Sequence, residues 1–152
     1  GIRHGEFAAI ERKDVDLPFV TIRRNISRQG QVSLPKTKSG VRTIRLPKKA
    51  LIAITEQLSS HDLERVWLNR SGRPYKNSMI FTREKWKKQT AGLDRLTPYA
   101  TRHSFCSWVV QSGENLMKVA NHMGHASIEM IIKRYAHFIP KKDDRWTLDD
   151  PA

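Results

Sequence analysis

Between Thr97 and His137 the chain collects side chains suited to handling a phosphate. They lie in Thr97-Pro98-Tyr99-Ala100-Thr101-Arg102-His103, in Met123-Gly124-His125 and in Lys133-Arg134-Tyr135-Ala136-His137. An arginine donates two parallel hydrogen bonds to phosphate oxygens and keeps its charge. Histidine donates or accepts near neutral pH. A tyrosine oxygen can act as a covalent nucleophile. Together these types point to phosphoryl transfer through a phosphotyrosine, with further positive charge brought from elsewhere in the chain. Arg3 is one source, three residues before Glu6. Taken alone, that spacing reads as a surface ion pair worth a few tenths of a kcal/mol. Lys36 and Lys38, in the turn sequence Lys36-Thr37-Lys38-Ser39-Gly40, are another.

The elements that must position these groups can be read from periodicity and punctuation. Phe7 and Ile10 suggest a short helix over residues 5–12, broken at Asp14-Val15-Asp16-Leu17-Pro18. Strands are predicted at Phe19–Ile22, Gln31–Leu34 and Val41–Leu46, forming a small antiparallel sheet with Lys36 and Lys38 at a hairpin tip. A helix starts at Pro47 and buries Leu51, Ile54 and Leu58. Another spans residues 77–89, with Ile80, Phe81 and Trp86 inward. Thr97-Pro98 opens a helix carrying Arg102 and His103 in its first turns, with Phe105, Trp108 and Val109 on its buried face. The next helix turns Leu116, Val119, Ala120 and Met123 inward and ends at Gly124. The last opens near Ser127 and buries Ile128, Ile131 and Ile132, with Tyr135 continuing the stripe.

The 152 residues suit one domain with a real core. No apolar run reaches membrane-spanning length, and no signal peptide is visible. The single cysteine, Cys106, rules out an internal disulfide and a multi-cysteine zinc site. Twenty-eight Lys and Arg against fifteen Asp and Glu give a net charge of +13, and the cations are interleaved with aromatics and turns. Such an excess calls for a polyanionic partner, nucleic acid before membrane surface.

In this order and on these element types, the motifs resemble the catalytic domain of tyrosine recombinases, the phage integrase family. That family carries an early arginine with an acid three residues on, an acidic turn, a hairpin lysine, a His-x-x-Arg box, a Gly-His step and a late tyrosine. The matches here are Arg3 with Glu6, Asp14, Lys38, Tyr99 to Arg102, Gly124-His125 and Tyr135. The resemblance covers residues 1–140 and implies an α+β fold, mainly helical, with a three-stranded antiparallel sheet on one side. It also implies that the catalytic domain is truncated at its N-terminus. Residues 141–152 would be a charged tail packing on a neighbouring subunit through Trp146 and Leu148. The box departs from the family at Tyr99, where histidine is usual. A tyrosine is a poor base but can donate to phosphate, and His103 is the alternative proton acceptor.

The implied chemistry is site-specific DNA recombination, integrating or excising a mobile element, with no cofactor and no metal. Arg3 and Arg102 would clamp the phosphate, Lys38 or else Lys36 would protonate the leaving oxygen, and His125 would donate a hydrogen bond. Tyr99 would sit at the phosphate, and Tyr135 would attack. The partner is double-stranded DNA, on which a tetramer would assemble, in the cytoplasm of a bacterium beside its nucleoid. Three rival readings follow from the same residues. One is a type IB topoisomerase. Another is an inactive DNA-binding fragment. The third is a metal nuclease built on His103, His122, His125 and His137.

Overall fold

A computed structural model describes residues 1–35, 40–79, 83–93 and 96–139, with backbone alone at 83–85. The expected hairpin tip with Lys36 and Lys38, the inward Ile80 and Phe81, and the tail at 141–152 lie outside the described residues. The fold is α+β and mainly helical, with a small antiparallel sheet at one side.

Helix α1, His4–Ala8, is shorter than the periodicity suggests, and a 3-10 turn at Arg12–Asp14 follows it. The three-stranded sheet has the order β1-β2-β5, with β1 at Val15–Asp16, β2 at Phe19–Ile22 and β5 at Arg42–Arg45. Its members differ from expectation. Val15–Asp16, read as a helix breaker, supplies the edge strand and pairs with Phe19–Val20. The strand expected at Gln31–Leu34 shrinks to β4, Val32–Ser33, and pairs instead with β3, Asn25–Ile26, in a separate two-stranded sheet. Along β5 the faces alternate, so that Arg42 and Ile44 are buried while Thr43 and Arg45 are exposed.

Sheet and helix share one core. Val20, Ile22 and Ile44 pack with Ile10, Ile54 and Val66. Ile54 comes from α2, Lys48–Ser59, for which Pro47 is the N-cap. Burying each such side chain stabilises the fold by about 1.5–3 kcal/mol. Close to this core, two buried acids gather arginines: Arg24 pairs with Asp14 and lies 2.6 Å from Glu11, and Arg65 lies 3.4 Å from Glu11. The acidic turn therefore has a structural use, tying the first 3-10 turn to the chain just after β2 and to the chain around Arg65.

Helix α3, Arg83–Gln89, starts later than the expected 77–89; residues 77–79 are bent chain. The second core belongs to α4 at Ala100–Gln111, α5 at Leu116–Met123 and α6 at Glu129–Tyr135. Its members are Cys106, Val110, Val119, Ala120, Met123, Ile131 and Tyr135. Helix α5 is framed as its sequence asks. Asn115 accepts hydrogen bonds from the N–H groups of Met117 (2.9 Å) and Lys118 (3.2 Å), and Gly124 ends the helix at φ 64°. Helix α4 meets the core as expected at Phe105 and Val109, which pack against it, but not at Trp108. Arg102, Cys106 and Val110, four residues apart, form its inward stripe, and Trp108 is 70% exposed. Ile132 likewise faces outward, leaving Ile131 and Tyr135 to fill α6's side of the core.

Candidate active site

Arg3 is the N-cap of α1, and the turn it begins brings Glu6 back beneath it. Its backbone N–H donates to Glu6 Oε2 at 2.7 Å and its Nη1 to Glu6 Oε1 at 2.8 Å. The surface pair that the spacing suggests is thus half buried: Glu6 is 6% exposed, while the Arg3 side chain keeps 38% of its surface. The far side of the same carboxylate meets Arg42, with Nη2 at 2.9 Å and Nη1 at 3.2 Å. Burial would raise the Glu6 pKa, but hydrogen bonds and charge from Arg42, then from Arg3, hold it below the usual carboxylate range.

Arg102 projects from the first turn of α4 into the junction between the two cores and is 2% exposed. It donates to the carbonyl of Gly1, to that of Met123 at 2.6 Å, and to His125 Nε2 at 3.2 Å. A guanidinium only donates, so this last bond requires a lone pair on Nε2 and puts the ring proton on Nδ1. Nδ1 is buried without a hydrogen-bond partner among the described residues. Burial, then the charges of Arg102, Arg3, Arg42 and Arg134, push the His125 pKa down to about 4. The neutral ring is therefore the resting form. The Gly124 cap places His125 here, its N–H bonding to the Ala120 carbonyl at 2.9 Å.

Tyr135, 4% exposed, reaches back along α6 into the same core. Its hydroxyl lies 2.5 Å from His103 Nδ1. Burial, then the neighbouring Cys106 thiol, push its pKa up to about 12. His103 moves the other way, lowered by burial and then by Arg134 and Arg102. A neutral imidazole and a protonated phenol each donate and accept, so Tyr135 is the donor and His103 the acceptor in the tautomer that carries its ring proton on Nε2. Tyr99 caps α4 at the rim, 39% exposed, with its ring edge-on to His103 at 4.9 Å and to His4 at 6.1 Å between centroids. Tyr99 and His4 also line a groove of about 1070 Å³ shared with Arg28, Trp86, Lys87 and Thr97.

Arg3, Arg102, His125, Tyr99 and Tyr135 therefore belong to one neighbourhood, linked through His103 and the arginine charges. Lys38 and Lys36 fall outside the described residues. The four histidines of the metal-nuclease reading do not converge. His103 serves Tyr135, His125 serves Arg102, His122 stacks on Phe105 and His137 lies against Phe138. Among the described residues no three His, Cys, Asp or Glu side chains are grouped to hold a metal ion. Sequence reasoning missed Arg42, whose signal was its position in phase with Ile44 on β5, and Cys106, which carried no signal beyond being apolar.

Among solved structures, the fold resembles the Tn1549 transposon integrase in complex with a circular intermediate DNA. The TM-score is 0.77 at 22% identity, over 89% of this chain and 50% of that one. It also resembles XerA recombinase, with a TM-score of 0.69 at 21% identity over 90% of this chain and 47% of that one. In sequence, it is 31% identical over 172 residues to prophage integrase IntR of Escherichia coli (strain K12), covering 95% of this chain and 42% of that protein. It is 28% identical over 159 residues to the transposase from transposon Tn916 of Enterococcus faecalis, covering 90% of this chain and 39% of that one. The chain thus spans less than half the length of these relatives. Residues 1–142 match the family profile described as the phage integrase family, a span that takes in every arginine, histidine and tyrosine placed above, and it is to this family that the chain belongs.

Proposed function

We propose that the protein containing this chain is a site-specific DNA recombinase that cuts and rejoins strands through a 3′-phosphotyrosine. Residues 1–140 would carry its catalytic centre and residues 141–152 an arm toward a neighbouring subunit. The observation that carries the reading is the joint placement of Arg102 against His125 and Tyr135 against His103, one residue apart on α4.

In this mechanism Arg3 and Arg102 hold the non-bridging oxygens of the scissile phosphate and offset the charge that builds there. By analogy with arginine fingers such contacts are worth about 10³–10⁵ in rate. Tyr135 Oη attacks phosphorus and gives its proton to His103 Nδ1. The bond to the 5′ oxygen breaks, and that oxygen takes a proton from Lys38, or from Lys36. Tyr99 donates to the phosphate from the rim. An anion entering the site opposes the arginine charges that, after burial, lower the His125 pKa. His125 can then leave Arg102, carry a proton on Nε2 and donate it to the phosphate as a hydrogen bond. A released 5′ hydroxyl then attacks the phosphotyrosine, the phenol recovers its proton, and the strand is sealed with no external energy source. The groove beside Tyr99 and His4, with Arg28 and Lys87 on its walls, is the approach for the duplex. Relatives in this fold class solved with DNA support the choice of substrate, as in the Tn1549 complex with a circular intermediate. Exchange between two duplexes calls for four such subunits on DNA.

The test is a suicide DNA substrate, nicked beside the scissile phosphate so that the freed end diffuses away, given to the full-length protein. A covalent adduct that disappears in Tyr135→Phe supports the mechanism. An undiminished adduct in that variant ends it. Relaxation of supercoils without strand exchange would point to the topoisomerase reading instead.

A further inference from the structure

We infer that Arg42 is a positioning residue for this chemistry, a buried guanidinium that sets the aim of two of the groups proposed to meet the phosphate, Arg3 and His125. The inference rests on the proposed reaction and concerns a side chain that is bonded to none of the described groups placed at the phosphate. Arg42 is 9% exposed, at the start of β5. Its Nη groups hold the Glu6 carboxylate at 2.9 and 3.2 Å, and Glu6 in turn holds Arg3. Its Nε donates to the carbonyl of His122 at 2.7 Å, in the last turn of α5, three residues before His125. Its Nη1 also reaches the Gly40 carbonyl at 3.3 Å. One planar group thus joins the sheet, α1 and the end of α5. Arg3 and His125 approach the site from two different elements, and Arg42 is bonded to both of those elements.

Gly124 supplies an independent sign of how closely Arg42 is fitted. A Cβ built on Gly124 would lie 2.7 Å from Arg42 Nη1 and 2.9 Å from Cζ. The glycine therefore satisfies two demands, the positive φ of the helix cap and the close passage of the guanidinium. Lysine cannot replace this arrangement. Its single ammonium lacks the planar fork that meets a carboxylate on one edge and a carbonyl on another. Displacing a clamp group by about 1 Å can cost roughly 10²-fold in rate.

The experiment measures the single-turnover rate constant of adduct formation on the suicide DNA, with DNA affinity and thermal midpoint measured alongside. The full-length protein is compared with Arg42→Lys, Arg42→Ala and Glu6→Gln. The inference expects Arg42→Lys to lose roughly 10²-fold in rate constant, with DNA affinity within about threefold. Glu6→Gln combined with Arg42→Lys should cost little more than the worse single change, since both act on one linkage. Guanidinium ion added to Arg42→Ala should restore part of the rate constant, by filling the space between Glu6 and the His122 carbonyl. Arg42→Lys suffices where Arg42→Ala does not fold. An Arg42→Lys protein that folds and cleaves at the unaltered rate constant overturns the inference, as does a purely additive double variant. Absence of any adduct from the unaltered protein would instead overturn the proposed reaction and this inference with it.

Discussion

Replacing His103 by asparagine separates holding Tyr135 from taking its proton. The amide oxygen of asparagine falls near the position of Nδ1, so the 2.5 Å contact with the phenol can persist. Its basicity is negligible. With Tyr135 titrating at about 12, roughly one molecule in 10⁴ carries a phenolate at pH 8. The unaltered site escapes that limit because His103, its pKa below the ordinary histidine value, is neutral across the working range and receives the proton as the bond forms. General-base help of this kind is worth about 10²–10⁴ in rate. The sign of the pH dependence follows. Wild-type cleavage should be flat above about pH 6.5 and fall only where His103 becomes protonated. His103→Asn should be slower by about 10²–10⁴ at pH 7, and its rate should climb about tenfold per pH unit as phenolate accumulates. The assay is single-turnover adduct formation on suicide DNA from pH 6 to 9, with far-UV circular dichroism to confirm folding. A His103→Asn protein with a flat profile and undiminished rate would refute the assignment and return the role of base to another group, Tyr99 or a residue outside the described segments.

Stability should fall with acid, because His125, and His122 likewise, titrate at about 4 in the fold against about 6.5 unfolded. Between those values the unfolded chain binds protons that the fold excludes, so stability is complete above pH 6.5 and is lost as pH falls toward 4. The slope is at most about 1.4 kcal/mol per pH unit for each histidine, less for their partial exposure; urea midpoints unchanged from pH 7 to 5 would reject it. On the helical core, Ile131→Ala should cost about 2–5 kcal/mol while Trp108→Ser stays within about 0.5 kcal/mol, both read by urea denaturation. Equal losses would mean that α4 has been turned the wrong way. DNA binding should weaken with salt by a log–log slope near −0.9 for each phosphate contact, and Lys87→Ala should lower that slope by about one contact if the groove receives the duplex.

The legible parts of this fold are those where local chemistry and packing agree. Helix α5 has an amide cap before it, apolar residues at helical spacing within it and a glycine able to take φ 64° after it. Nothing in the tertiary structure opposes that pattern. Helix α4 is different because its inward face includes site residues. A stripe led by Arg102 and continued by Cys106 and Val110 has little hydrophobic contrast, so the bulky Trp108 suggests a face the core does not use. Sheet membership was hidden for another reason. Strands of two residues, Val15–Asp16 and Asn25–Ile26, are too short for alternation to show, and β2 finds β5 across nineteen residues of intervening chain with no local signal. At the site, residue types and order were enough to nominate Arg3, Arg102, His125 and Tyr135. Spacing and order also pointed to Glu6 beside Arg3 and to His103 for Tyr135, but not to Arg42, which acts through contacts made only on folding.

Those contacts also explain how so much positive charge can be held together in the fold. Arg3 and Arg42 share the single carboxylate of Glu6, and Arg102 is satisfied by two carbonyls and an imidazole nitrogen, with no acid among the described residues bonded to it. Carbonyls satisfy the hydrogen bonds of a guanidinium but leave its charge uncancelled. The field of that charge adds to burial, the larger cause, in lowering the His125 pKa to about 4. An acid placed opposite Arg102 would quiet that field and stabilise the resting fold, yet it would occupy the electrostatic place of the substrate. Cys106→Asp, on α4 one turn beyond Arg102, tests the point. It should raise the His125 pKa, measured by NMR titration, and slow adduct formation even where the protein stays folded. A variant whose His125 titrates higher while cleavage is unaffected would show that the uncancelled charge of Arg102 does not drive the reaction.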